Sequence, residues 1–292
     1  MFVLHVNDES GYFMWNIVKA ELVKIAAKPR SYIGFVAITV IVGLIHLAMY
    51  LDGLNYIGFI TTPVQTNFVL EGKILNGNLV CFIILQTLII QIPLLVALVT
   101  GDLISGEGAM GTIRLLATRP VSRGQLLTAK FIAGNVYVFF LLLWLGILAL
   151  GLGLWFFGPG DLIVIKSDAL TILQSQDTLW RFLSALAIAF LSLMVVSSFS
   201  MLLSCFSENS IGPIISTMAV IILFTIIGTM DIPLFDLIKP FLFTTHMVIW
   251  RNMFDQELQW DEIGFSLSIL LIHIFLFFGI SMMAFRKKDI LS

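Results

Sequence analysis

Six apolar stretches divide the chain, at roughly Ser31–Tyr50, Leu79–Val99, Phe131–Phe157, Phe182–Leu203, Ile211–Met230 and Gly264–Phe285. A helix needs about 20 apolar residues to cross the hydrocarbon core of a bilayer. None of the six stretches contains Asp, Glu, Lys or Arg. The pattern predicts six transmembrane helices joined by polar loops, of which Asp52–Asn78 and Gly158–Arg181 are moderate in size. The connection Asp231–Glu262 differs. Its run "PLFDLIKPFLFTTHMVIW" is apolar but too short to cross, and Pro233 and Pro240 interrupt it. Residues 231–262 are therefore expected to form re-entrant or interfacial helices against the outer ends of the last two spans. Irregular backbone at such depth has to be covered by protein.

Ahead of the first span, "YFMWNIVKAELVKIAAK" has a helical period. Met14, Trp15, Val18, Leu22 and Ile25 share one side, and Lys19, Lys24 and Lys28 lie elsewhere. About residues 11–28 should form a helix in the membrane interface, with its lysines near anionic headgroups and Trp15 at the boundary. A plain juxtamembrane anchor and a contact with a partner are both open readings. Pro29 and Arg30 mark the turn into the membrane.

Composition agrees with a lipid solvent. Of 292 residues, 59% are hydrophobic and 12% charged, against about 45–50% and about 25% in soluble domains. Mean hydropathy is +1.03. The two cysteines, Cys81 and Cys205, suit packing better than a disulfide framework. Asp8 and Glu9 come early and no apolar core with a small-residue cleavage site follows, so a cleavable signal peptide is not expected and the first span should act as the insertion signal. Charge distribution sets orientation. Of the 16 Lys and Arg, eleven lie in three segments on one side: Lys19 to Arg30, Arg114 to Lys130, and Arg286 to Lys288. The other five (Lys73, Lys166, Arg181, Lys239 and Arg251) fall on the opposite, acidic side. The positive-inside rule then places both termini in the cytoplasm.

The segment "GDLISGEGAMGTIRLLATRPVSRGQLLTAK", residues 101–130, contains Gly106, Gly108 and Gly111 at dinucleotide-loop spacing. Context opposes a nucleotide site, because the preceding residues are a membrane span and not the strand of a βαβ unit. A phosphate loop fails as well, since it needs Lys where Thr112 stands, and Glu107 would repel phosphate. The better account is mechanical. Gly106–Gly111 would let the chain turn sharply out of the span, and "TIRLLA" would form a short helix that Pro120 ends. Ser122 and Gln125 would open the next helix with a capping box. Such a segment forms a small cytoplasmic helix rigidly joined to two spans.

Within it, "GEGAMGTIRLLATRPVSRGQLLTAK" resembles the signature of permease subunits of ATP-binding cassette (ABC) transporters of the type 2 exporter class. The matching residues are Glu107, Gly111-Thr112, Leu115-Leu116, Pro120-Val121-Ser122-Arg123 and Lys130. The resemblance implies a single type 2 transmembrane domain over residues 1–292 in a bacterial or archaeal cytoplasmic membrane. It also implies a coupling segment at 101–130 that docks on a separate cytoplasmic ATPase, and a second permease chain facing the first. Glu107, Gly111, Thr112, Arg114, Arg119, Pro120 and Arg123 are then the ATPase-coupling candidates. ATP and Mg would be bound by the partner, and this chain would be a non-enzymatic transport subunit without cofactor or metal of its own. The Gly106–Gly111 run is richer in glycine than the family's charged version, which implies a less polar contact.

Other constellations are weaker. Gln86 and Gln91 could line a pathway near a Pro93 kink, although polar residues in spans usually bridge helices. Ser184, Ser192, Ser197, Ser198 and Ser200 suit close helix approach. His5, His46, His246 and His273 are not at metal-ligand spacing. An ion-coupled secondary transporter is the main rival, but it would place ionisable groups within the spans. A non-transporting membrane scaffold is a third reading, and it leaves the ordered segment 101–130 unexplained.

Overall fold

The computed structural model describes residues 6–65, 74–110, 122–165 and 170–287. It is a bundle of apolar helices, as the hydrophobic pattern requires. Helix α1 (Val6–Ala27) leads through Lys28 and Pro29 into α2 (Arg30–Gln65). Helices α3 (Gly77–Leu88) and α4 (Ile92–Thr100) meet at a 52° bend. Pro93 at the start of α4 explains the break, because it has no N–H to offer the carbonyl one turn earlier. Helix α5 (Asp102–Ala109) follows at once. Helix α6 (Arg123–Gly146) continues through a π-helical turn, Ile147–Leu152, into α7 (Gly153–Phe157). Then come α8 (Ser175–Phe206), α9 (Ile211–Thr229), two one-turn helices α10 (Pro233–Asp236) and α11 (Phe243–His246), and α12 (Trp260–Lys287). Among the described residues, five helices are long and apolar enough to cross a membrane, and the bent α3–α4 pair makes up to six.

Three expectations need correction. The first span does not end near Tyr50, since α2 runs on to Gln65 past a non-helical residue at Asp52 (φ −137°, ψ 16°). The loop after α7 is not wholly irregular. Strands β1 (Leu162–Ile165) and β2 (Leu170–Leu173) pair antiparallel, with Leu162 opposite Leu173. Their runs "LIVI" and "LTIL" are rich in the apolar and β-branched residues that suit a pleated surface. Finally, the chain does not turn sharply at Gly106 or Gly108, which lie within α5. Among the described residues only Gly158 has a positive φ, at 72°.

Helix α8 is the axis of the bundle and packs against α4, α5, α6, α9 and α12. Its serines allow the closeness. Ser192, Ser197, Ser198 and Ser200 are buried, and the Ser192 hydroxyl bonds the Met247 carbonyl at 3.3 Å. Helix α3 lies against α7 where two glycines meet: a Cβ on Gly77 would stand 2.5 Å from the Gly153 carbonyl carbon. At this far end Asn76 caps α3 by accepting from Leu79 N at 3.0 Å, while its amide donates to Asp161 O at 2.8 Å. The 231–262 segment is built of short helices; none of residues 233–241 is buried, and only the later part packs into the bundle through its aromatic rings. Phe254 is fully buried between Phe82 and Phe182, with both ring centroids at 5.0 Å. Arg181 donates to the Met253 and Asp255 carbonyls at 2.8 and 2.6 Å, and His246 contacts Ser266 Oγ and Pro240 O.

Candidate functional site: an ion-paired joint at the α1 end

The charged groups of the α1 end converge on one joint. Glu21 stands on the buried face of α1 beside Val18 and Ile25. Its carboxylate meets Lys130 Nζ of α6 at 2.8 Å and Lys24 Nζ at 2.6 Å. Glu107 of α5 meets the same two ammonium groups, each at 2.8 Å. Two acids and two bases thus alternate around a closed ring that ties α1, α5 and α6 together. A second knot lies alongside: Asp102 at the start of α5 accepts Lys28 at 2.6 Å and Arg30 at 2.7 Å. The connection between α1 and α2 is thereby pinned to the exit of the α3–α4 span.

Burial makes this joint different from surface ion pairs. Side-chain exposure is 1% for Lys130, 3% for Glu21 and 2% for Asp102. Charges so placed are stable only with their partners in reach. Burial by itself would push the Glu107 carboxyl up, but Lys130 and Lys24 outweigh it and hold the group below its ordinary value. Lys24 shows the mirror case: burial would lower it, and hydrogen bonds to Glu107 and Glu21 hold it above the usual lysine value. The crevice among these residues encloses about 10 Å³, so it has no room for a small-molecule ligand.

Local sequence explains the geometry. Glu21, Lys24 and Lys28 recur at i, i+3 and i+7, one face of a helix. Gly106 is required because a Cβ there would collide with the Asp102 carboxylate one turn earlier. The first-turn N–H groups of α5 have no side-chain cap of their own. Ser204 of α8 accepts from Ser105 N at 2.9 Å and Ile104 N at 3.3 Å, so a neighbouring helix supplies the cap. At the start of α6 the expected capping box is present, with Ser122 Oγ accepting from Gln125 N at 3.2 Å and the Gln125 side chain from Ser122 N at 3.0 Å.

Of the coupling candidates, Glu107 faces inward to the joint, where Lys24 and Lys130 engage it; its expected role as an outward polar contact does not match this placement. Arg123 opens α6 and donates to the Arg286 carbonyl at 2.8 Å, which links α6 to the end of α12. Gly111, Thr112, Arg114, Arg119 and Pro120, with the expected "TIRLLA" helix, lie outside the described residues. Gln86 is half-buried on α3 and Gln91 is exposed at the bend. Lys24 and Lys28 of the N-terminal helix engage acids of α5, which corrects the expectation that they sit among headgroups. Glu21 and Asp102 were not singled out by motif reasoning. The available signal was a lone acid on the apolar face of α1 and two acids directly after an uncharged span.

Comparison with known proteins places the chain among relatives whose role is undefined. "Uncharacterized protein YhcI" of Bacillus subtilis (strain 168) is 26% identical over 198 residues, 66% of this chain. The matched part spans 63% of that relative's length. A family described as "Protein of unknown function (DUF2705)" matches residues 36–291, nearly the whole chain, and the protein belongs to that family.

Proposed function

We propose that the chain is the membrane-spanning permease subunit of an ATP-driven ABC exporter of the type 2 class. In this reading both termini and the α1 end face the cytoplasm of a bacterium or archaeon. Residues 101–130 dock on a separate ATPase, which binds ATP and Mg, and a second permease chain completes the pathway. Helix α1 is the interfacial helix, and the segment 231–262 forms the outer re-entrant cover. The observation that carries the reading is the ion-paired joint. The 111–121 segment leaves from α5 and returns into α6, and both are locked to α1 and the start of α2 by buried ion pairs. A push on that segment would reach three helices with little loss, because a packed, paired joint is stiff. Glu107 would then position the segment, while Arg114, Arg119 and Arg123 would offer polar contacts to the ATPase.

The ion-coupled alternative fits less well. Asp102 opens α5, Lys130 and Arg181 lie about two turns into α6 and α8 and are ion-paired or bonded to carbonyls there, and none of the six apolar stretches carries Asp, Glu, Lys or Arg. Affinity purification of the tagged chain from its own host in mild detergent, with mass spectrometry, tests the proposal. A stoichiometric ATPase bearing a Walker lysine is expected, lost when Gly111→Trp is introduced. Intact, folded chain that brings no ATPase would return the scaffold reading to the front.

A further inference from the structure

The far end of the bundle holds an open cavity of about 620 Å³, lined among others by Met49, Asp52, Asn55, Leu75, Phe156 and Phe157. That is the size range of small-molecule sites. Two local departures from regular helix shape it. Helix α2 is broken at Asp52. The π-helical turn Ile147–Leu152 shifts the register just before α7 delivers Phe156 and Phe157 to the wall. Single π turns inside α-helices are frequent at functional sites.

Beneath the wall lies His46, 4% exposed. Its Nδ1 is 2.8 Å from the Val42 carbonyl, which can only accept, so Nδ1 carries the hydrogen. In a neutral ring Nε2 is then the acceptor, and it is buried without a hydrogen-bond partner. Such an orphan costs about 1–3 kcal/mol in a folded protein. The His46 ring lies 6.3 Å from Phe156 and 6.2 Å from Phe157, both cavity residues. Asp52, six residues further along α2, stands exposed at the rim about 9 Å higher. Asn55 donates its amide hydrogen to that carboxylate, which leaves acceptor capacity on Asp52.

We infer that this cavity binds an amphiphilic cation, a small molecule with an apolar or aromatic body, a positive charge and hydrogen-bond donors. Asp52 at the rim is an acceptor with capacity to spare, and the wall offers ring faces that attract cations. An anion would find a carboxylate at the entrance. The cationic end pairs with Asp52, and the body lies along Met49, Leu75, Phe156 and Phe157.

Ethidium carries a fixed charge, an aromatic body and amine donors, and brightens in apolar sites. The test titrates it into the full chain in phosphatidylcholine nanodiscs, with empty discs subtracted, and repeats the titration with the anionic probe anilinonaphthalene sulfonate. The measurement needs no ATPase, so it reads the site independently of the transport proposal. Saturable ethidium binding is expected. Asp52→Asn should weaken it about tenfold, the worth of a hydrogen bond to a charged group. Asp52 is exposed, so its variant leaves the fold intact and decides the matter. Absence of saturable binding, an unchanged affinity in Asp52→Asn, or equal affinity for the sulfonate would overturn the inference.

Discussion

Lys130 has almost no contact with water, so its charge is balanced inside the protein by Glu21 and Glu107. Removing one member of such a set leaves an uncompensated charge, at a cost of about 3–5 kcal/mol. Lys130→Met and Glu21→Gln should each lower the thermal midpoint in detergent sharply, whereas the partly exposed Lys24 should matter less when changed to Met. The titration of the joint has a definite sign. Glu107 is held below its ordinary value of 4.5, so its contribution is present above that value and is lost as pH falls through the depressed one. Lys24 is held above 10.5, so its contribution is present below that value and is lost only as pH rises through the raised one. Stability of the wild type should be flat across neutral pH and fall in acid below the ordinary carboxylate range. In Glu107→Gln that acid limb should shrink; an unchanged limb would assign it to other carboxylates.

Helices carry the joint because their ends are capped from outside as well as within. Ser204→Ala removes the acceptor for Ile104 N and Ser105 N, and should cost about 1–3 kcal/mol in unfolding experiments. The apolar face of Ser204 in sequence gives no hint of that role, since the partner helix is 99 residues away. What could be read from sequence followed from lipid: a span must be long and apolar, so the six stretches, the Pro93 break and the Ser122–Gln125 capping box were all legible. The β1–β2 hairpin was not, because two four-residue strands give too short a pattern beside long apolar helices. Nor was the function of the glycines. Gly106 looks like a turn residue in sequence, and it is a helical residue that makes room for Asp102.

At the scale of the whole molecule, the buried ion pairs among the described residues gather at one end. Ion pairs lock the α1 end, and a buried cluster of Phe82, Phe182, Trp250 and Phe254 closes the far end. Helices α2 and α9 bury little of themselves in the chain's own interior. If the chain is a permease subunit, an ATPase grips this bundle at residues 108–123, beyond the inward-facing Glu107. A photoreactive amino acid at Arg119, with another at Trp155 on the far end as control, tests it in living cells. The account predicts a cross-link from position 119 to a polypeptide with a nucleotide-binding lysine loop, and none to that polypeptide from position 155. Cross-links from 119 that capture only lipid or unrelated membrane proteins, with the chain folded and inserted, would contradict it.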